Sequence, residues 1–143
     1  MSKISALNVQ LANWSVFYVK LHKFHWYVEG PAFFTLHTKF EEFYTDATAF
    51  TDEIAERILT IGEKPLATMK EYLEHSQIKE CPNTHPAKEM VQHVIDDYQT
   101  IIKGSREIIS IAEEDGDDET ADLFRGKISE LEKTLWMLKA YLG

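Results

Sequence analysis

Five side chains between His25 and Glu56 have the types and spacing of metal ligands. His37 and Glu41 are four residues apart. Asp52 and Glu56 are also four residues apart, and His25 precedes both pairs. On a helix, residues four apart project from the same face about one turn apart. Each pair is therefore half of a site for a hard or borderline metal ion, which prefers carboxylate oxygen and imidazole nitrogen.

The two pairs lie too far apart to bind one ion within a single chain. Glu41 and Asp52 are eleven residues apart, which is about 16.5 Å along a helix axis, whereas metal–ligand bonds are about 2.0–2.2 Å long. Eleven residues make almost three turns, so both pairs share one helix face. A second copy, antiparallel and related by a two-fold axis, would place its Asp52 and Glu56 opposite the first copy's His37 and Glu41. Such an isologous contact creates two equivalent sites, and we predict two intersubunit metal sites per dimer.

Long amphipathic helices are predicted to position these side chains. Apolar residues recur every three or four positions from Ile4 to Leu21, which predicts a first helix on which His25 points inward. Gly30-Pro31 ends that helix. A second helix is predicted from about Phe33 to Ile61, with Gly62 at its end. Besides its core face, this helix carries a second stripe suited to contact with a partner: Tyr44, Thr48, Ala55 and Leu59.

The rest of the chain completes an all-α pattern. Thr68 and Glu71 form a capping box that opens a short helix ending near His75. This short helix lies in a connection of more than twenty residues, the length needed when the second and third helices run parallel. The third helix is predicted from about Pro86 to Ala112, and a fourth ends at Leu142. We therefore predict a four-helix, ferritin-like bundle with one long crossover, forming a single domain over residues 1–143.

Composition and charge exclude several classes of protein. The 143 residues are 44% hydrophobic and include one cysteine, Cys81, so neither an internal disulfide nor a cluster of thiolates can form. No apolar run has the length of a membrane span, and the first residues lack a signal-peptide pattern. A cytoplasmic protein is therefore expected. The net charge is −9, from 15 basic and 24 acidic residues, which opposes non-specific binding to nucleic acid.

Two long strings carry a resemblance to a known family. LHKFHWYVEGPAFFTLHTKFEEFY, followed by DEIAERILTIGEKP, resembles the signature of the Dps proteins, the bacterial miniferritins. The resemblance extends through almost the whole chain, including the closing LWMLKAYLG. It implies a dodecameric hollow shell with an iron-oxidising site at each two-fold interface. In that site His25, His37 and Glu41 would come from one subunit, and Asp52 and Glu56 from its neighbour.

The resemblance also implies a function and further residues. The protein would oxidise Fe²⁺ with hydrogen peroxide or O₂, store ferric mineral in the shell and limit oxidative damage. Acidic residues at the start of the last helix would line pores through which Fe²⁺ enters, with Asp117, Asp118 and Asp122 as candidates. Trp26 and Tyr44 are candidate local electron donors. The position of Glu41 is often Asp in relatives, a departure that would alter the first-site geometry slightly.

Simpler interpretations exist for each residue taken singly. A lone histidine such as His25 on an apolar face is more often a hydrogen-bonded core residue, and the pair Asp52 and Glu56 alone resembles a solvated face. Glu89 and His93 fall off the apolar stripe of the third helix and are predicted to be solvated, with adventitious metal binding as the alternative. No Glu is followed three residues later by His, which argues against a di-iron site inside one bundle.

Three functional classes remain open on the sequence. The first is an iron-oxidising storage enzyme. The second is a DNA-binding or DNA-condensing stress protein with secondary metal binding. The third is a structural oligomer whose histidine and acidic pairs form an interface hydrogen-bond network. Another ion, such as Zn²⁺, would also suit a site with few ligands.

Little or no DNA binding is expected at neutral pH and physiological salt. Some Dps proteins condense DNA with lysine-rich tails, whereas here only Lys3 precedes the first helix and the net charge is −9. Tight electrostatic binding requires several contacts between basic side chains and phosphates. A gel-shift titration with linear duplex DNA should show free DNA throughout. A clear shifted band under these conditions would favour the DNA-binding class.

Overall fold

The computed structural model describes all 143 residues as helices joined by turns and one long connection, with no strand. Four long helices pack around a shared hydrophobic core, and a short helix lies in the connection. The predicted all-α bundle and its crossover helix are therefore confirmed. No helix combines the length and the apolar character that a membrane span requires. The helices are α1 (Lys3–Tyr27), α2 (Phe33–Thr60), α3 (Met69–His75), α4 (Ala87–Glu114) and α5 (Asp118–Leu142).

Helix α1 is buried on more than the single stripe predicted from its apolar spacing. It packs against α2, α3 and α4, so polar residues such as Gln10, Asn13 and Lys20 are buried together with the apolar ones. Trp14 is fully buried and makes an edge-to-face contact with Phe50 of α2, with ring centroids 5.3 Å apart. The single-stripe prediction was too narrow because periodicity does not reveal how many neighbours a helix has. The helix that carries His25 is consequently held on several sides.

A tight turn makes α1 and α2 adjacent and antiparallel. The backbone N–H of Val28 bonds to the carbonyl of Phe24 at 3.0 Å and closes the end of α1. Gly30 follows with φ of 101°, a left-handed conformation that glycine adopts without steric cost. Helix α2 then begins at Phe33. This short connection places the end of α1 beside the beginning of α2, where His25 and His37 lie.

The crossover is held mainly by polar side chains of α1. The Asn8 side-chain oxygen accepts a hydrogen bond from Leu66 N at 2.9 Å, and that of buried Asn13 accepts one from Gln77 N at 2.7 Å. At its far end, Lys23 donates to the carbonyl oxygens of Cys81 and Asn83. The predicted capping box is also present, since Thr68 Oγ1 accepts from Glu71 N at 3.2 Å. Backbone groups that lack helical partners thus find side-chain partners.

Gly104 lies inside α4, where glycine is less favourable than most residues for a helix. The structure gives it a packing role. The Gln10 side chain crosses from α1 and donates from Nε2 to the carbonyl of Ile101 at 3.1 Å. A Cβ placed on Gly104 would lie 2.0 Å from that Nε2. The missing side chain therefore leaves room for a buried hydrogen bond between two helices.

We expect Gly104→Ala to destabilise the protein by about 1 kcal/mol. Alanine gains about 1 kcal/mol over glycine inside a helix, but displacing the Gln10 amide leaves buried polar groups unpaired, at a cost of about 1–3 kcal/mol. The midpoint of thermal unfolding should fall. Gly126→Ala is the matched control, because Gly126 is an exposed helical glycine and a Cβ added there would have no neighbour within 4 Å. That variant should raise the midpoint, and an equal rise in Gly104→Ala would contradict the packing role.

Candidate metal centre

His25 and His37 form a reciprocal pair across the junction of α1 and α2. Nδ1 of His25 lies 2.7 Å from the carbonyl oxygen of His37, and Nδ1 of His37 lies 2.7 Å from the carbonyl oxygen of His25. The two rings stack with centroids 3.8 Å apart and planes 13° apart. A carbonyl oxygen only accepts hydrogen bonds, so each Nδ1 must carry the hydrogen. In the neutral rings, both Nε2 atoms are then left as lone-pair donors for a metal ion.

Glu41 lies beside this histidine pair. Its Oε1 is 3.9 Å from Nε2 of His25, and 58% of its side chain is exposed. That separation is long for a hydrogen bond. It suits two atoms bound to one ion, because ligand atoms about 2.1 Å from a metal are themselves about 3–4 Å apart. The chain therefore brings His25, His37 and Glu41 close together, as the family resemblance implies for one subunit's share of the site.

Asp52 and Glu56 lie further along α2 as an exposed carboxylate pair. A hydrogen bond and the charge of Asp52, with a smaller contribution from burial, raise the pKa of Glu56. Two carboxylates so arranged favour a shared proton or a bound cation. Arg57, the nearest candidate for a neutralising partner, instead pairs with Asp117 at 2.9 Å. The pair is exposed, as the simple interpretation of a solvated face predicts, but it forms no ion pair with a basic residue of the chain.

One chain does not bring the two half-sites together. The face of α2 between them carries half-buried Tyr44 and exposed Thr48. Beyond Glu56, the side chain of Leu59 is 58% exposed. Uncharged and apolar groups in these positions suit a surface that a second subunit covers. The completion of each site by a partner subunit stays a prediction.

Aromatic side chains surround the histidine pair. Tyr44 lies 5.3 Å from His25 and 3.9 Å from His22, measured between ring centroids. Trp26 stacks on His22 with ring centroids 4.8 Å apart and is 66% exposed. Trp26 and Tyr44 thus lie on a continuous aromatic path to His25, a geometry compatible with the predicted electron transfer, which stays a prediction.

Two aromatic neighbours of the site do not follow from the ligand spacing. His22, three residues before His25, is half-buried. Burial, and to a lesser extent His25, lower the pKa of the His22 ring. Phe33 stacks on His37 with ring centroids 4.8 Å apart. The sequence does contain a signal for both contacts, since His22 and Trp26 are four residues apart, as are Phe33 and His37. Residues four apart are neighbours on one face of a helix.

The three candidate pore acids differ in their surroundings. The side chain of Asp117 is only 9% exposed, caps α5 by accepting from Thr120 N at 3.2 Å, and pairs with Lys3 and Arg57. Burial alone would raise the pKa of Asp117, but the hydrogen bonds from Thr120 and Lys3 outweigh burial and hold it well below its usual value. The carboxylate of Asp117 therefore stabilises the start of α5 and its contacts with α1 and α2.

Asp118 and Asp122 are the more accessible of the pore candidates. Asp118 is exposed in the first turn of α5. Asp122 is 73% exposed at its side chain and accepts from Arg125 at 2.8 Å. Both carboxylates remain open to solvent and to cations. Their role in a pore stays a prediction.

Comparisons with known proteins agree on the family. The model of the ferritin-like domain matches residues 4–143. The DNA protection during starvation protein 2 of Bacillus anthracis is 52% identical over 98% of this chain and 96% of its own length. General stress protein 20U of Bacillus subtilis is 49% identical over 98% of this chain and 97% of its own length.

Solved structures give the same result. Dps from Staphylococcus aureus superposes with a TM-score of 0.96 at 46% identity, covering 99% of this chain and 95% of the other. Dps from Vibrio cholerae, described as a member of a broad superfamily of ferritin-like diiron-carboxylate proteins, superposes with a TM-score of 0.96 at 40% identity, covering 99% and 89%. The chain belongs to the Dps family of ferritin-like proteins.

Proposed function

We propose that this protein is a ferroxidase and iron-storage miniferritin of the bacterial cytoplasm. It oxidises Fe²⁺ at sites shared between two subunits and stores the ferric product as mineral inside a hollow dodecameric shell. The observation that carries the proposal is the reciprocal histidine pair, which leaves Nε2 of His25 and of His37 free beside Glu41. Membership of a family that includes a described diiron-carboxylate relative supports the same chemistry.

The chain's residues prepare the site for a divalent cation before it arrives. The backbone carbonyls of His37 and His25 orient the two imidazole rings, so little side-chain conformational entropy is lost when a cation binds. Asp52 and Glu56 of the partner subunit would add carboxylate oxygens, which such a cation prefers. Few protein ligands surround each Fe²⁺, so coordination positions stay open for the oxidant. The site therefore binds its substrate ion and admits peroxide without rearranging the bundle.

Paired oxidation explains how storage protects the cell. Hydrogen peroxide accepts one electron from each of two Fe²⁺ ions, and its O–O bond breaks. Two hydroxide ions form, which two protons convert to two water molecules, and two Fe³⁺ ions remain. Transfer of only one electron would release hydroxyl radical instead. We propose peroxide as the oxidant, with O₂ as the alternative two-electron acceptor.

DNA protection is proposed to be indirect. Several relatives carry names that refer to DNA protection. In this chain the net charge of −9 opposes contact with phosphates. Removing Fe²⁺ and peroxide together would shield DNA from radical damage without binding it. The negative charge also favours the entry and retention of cations.

The intersubunit site can be tested by complementation between two inactive variants. We expect His37→Ala and Asp52→Ala, each assembled alone, to lose fast peroxide-driven Fe²⁺ oxidation because every site lacks one ligand. In mixed shells from co-expressed variants, a two-fold dimer with one subunit of each kind keeps one intact site. Random pairing should restore about a quarter of the wild-type rate, since half the dimers are mixed and one of their two sites is complete.

The control for this experiment is Glu42→Gln. Glu42 is adjacent to Glu41 but pairs with Lys39 at 2.8 Å, so its loss should leave the rate unchanged. Oxidation is followed by ferric absorbance after anaerobic Fe²⁺ loading, with shell size measured in parallel. Single variants with wild-type rates would refute the ligand assignment. Mixed shells as inactive as the parents would refute the shared site.

Entry of Fe²⁺ through acidic pores gives a separate expectation. We expect Asp118→Asn/Asp122→Asn to slow Fe²⁺ uptake roughly tenfold at low salt, because steering of cations by fixed charge is lost. The difference should shrink as salt screens the charges. Asp117 is left intact, since its ion pairs hold α5 in place. Glu107→Gln, at an exposed acid on α4, is the control, and equal uptake in all three proteins would remove the pore assignment.

A further inference from the structure

Cys81, His85 and His93 form a compact cluster away from the iron-oxidising site. One potential ligand atom from each residue lies within 4.8 Å of the others. Cys81 is buried near the end of the crossover, His85 is half-buried just before α4, and His93 is half-buried in the second turn of α4. The ring of His93 faces Phe24, at 6.0 Å between centroids, whereas the next residue of α1, His25, faces His37. The cluster therefore lies on a different side of α1 from the histidine pair.

His93 corrects an expectation from the sequence. Its spacing predicts a solvated side chain, but its ring contacts Phe24 of α1 and lies 4.7 Å from the ring of His85. The end of the crossover passes over this part of α4 and brings His85 to it. Sequence periodicity within α4 contains no information about that approach. The signal that was available is a repeated spacing of four residues: Cys81, His85, Glu89 and His93.

Glu89 orients the ring of His85. Its Oε2 lies 3.0 Å from Nδ1 of His85. A carboxylate accepts hydrogen bonds, so Nδ1 carries the hydrogen and Nε2 of the neutral ring is left as an electron-pair donor. Metal-binding histidines commonly donate their second ring nitrogen to a carboxylate in this way, which fixes the tautomer and the ring orientation. The hydrogen bond to Glu89 thus preorganises His85 for metal binding.

The other two side chains are also held in place. Lys23 donates to the carbonyl oxygens of Cys81 and Asn83 and so fixes the backbone that carries the thiol. Burial, and to a lesser extent the charge of Lys20, lower the pKa of His93. The Lys20 ammonium is itself paired with Asp97 at 2.8 Å. That pairing reduces its repulsion of a nearby cation.

We propose that Cys81, His85 and His93 bind one Zn²⁺ ion per subunit, with Glu89 as a positioning residue and water at a fourth coordination position. One thiolate and two imidazoles suit zinc, which accepts sulfur and nitrogen in tetrahedral sites. Bond lengths of about 2.3 Å to sulfur and 2.0–2.1 Å to nitrogen place tetrahedral ligand atoms about 3.4–3.6 Å apart. The present cluster needs to contract by about 1 Å, which side-chain rotation supplies. The bound ion would fasten the end of the crossover to the first turns of α4.

The chemistry of this site differs from that of the iron-oxidising site. The iron site offers imidazole and carboxylate, whereas this cluster offers sulfur, a ligand that selects softer ions. Cys81 is the only cysteine of the chain. A spectroscopic signal of metal–thiolate bonding can therefore arise from this cluster alone. The two sites can be measured separately in the same assembled protein.

The test uses Co²⁺ as a spectroscopic probe for zinc in the assembled, metal-free protein. We expect a thiolate-to-Co²⁺ charge-transfer band in the near ultraviolet that saturates at one ion per cluster. Visible bands of four-coordinate Co²⁺ should accompany it, and one equivalent of Zn²⁺ should remove both. Absence of the charge-transfer band, or its persistence with excess Zn²⁺, would overturn the proposal.

Matched variants distinguish ligands from neighbours. Cys81→Ser should abolish the charge-transfer band and lower bound Zn²⁺ by one ion per subunit. His93→Gln should weaken Zn²⁺ binding at least as much as the Glu89→Gln variant does. Glu89→Gln should weaken Zn²⁺ binding by about 10–100-fold, as expected for loss of such an orienting carboxylate, while the band keeps its position. Wild-type Zn²⁺ affinity in Cys81→Ser or His93→Gln would overturn the ligand set.

Two controls separate this site from other histidines and from the iron site. His75→Gln changes an exposed histidine of α3 whose Nδ1 lies 2.9 Å from the carbonyl of Glu71, and it should bind as wild type. His37→Ala/Asp52→Ala should also keep the charge-transfer band. Loss of the band in that double variant would show that the signal depends on the iron site and would overturn an independent zinc site. Circular dichroism and shell size confirm that each variant is folded and assembled.

Discussion

The reciprocal hydrogen bonds between His25 and His37 are the interaction on which the candidate iron site depends. Helix α1 ends at Tyr27, so the carbonyl of His25 belongs to the last turn, whose carbonyls lack helical N–H partners. The His37 ring satisfies that carbonyl from the neighbouring helix. The same contact therefore completes the end of α1, joins α1 to α2 and leaves two imidazole nitrogens available for a metal ion. The Gly30 turn and the burial of α1 on several sides keep the two helix ends in this register.

Helix α2 has two distinct faces: one packs into the core, and the other carries the candidate metal ligands. Its core stripe, which includes fully buried Phe40 and Ile54, fixes the helix in the bundle. The adjacent face holds Glu41 and the carboxylate pair without committing them to partners inside the chain. Arg57, which could neutralise that pair, is occupied by Asp117 instead. The internal ion pair thus preserves an uncompensated negative charge at the surface, where a cation and a second subunit are proposed to meet.

Much of the fold, and the clustering of His25 with His37 and Glu41, could be predicted because the responsible patterns are local. The spacing of apolar residues located the helices. A separation of four residues identified the pair His37 and Glu41 and the pair Asp52 and Glu56. The failures concern contacts between elements distant in the chain. Burial of α1 on several sides, the contact of His22 with Tyr44, and the approach of His85 to His93 all depend on how helices and crossover pack. Gly104 belongs with them, since its role appears only when Gln10 reaches it from another helix.

The way in which α1 holds the crossover has an evolutionary consequence. Asn8, Asn13 and Lys23 reach mainly backbone atoms of that segment rather than its side chains. Backbone groups are common to almost every residue type, so substitutions along the crossover leave these anchors intact. The segment can therefore accept changes of side chain while keeping its path. Residues such as Cys81 and His85 can therefore occupy this segment without disturbing the contacts that hold it to α1.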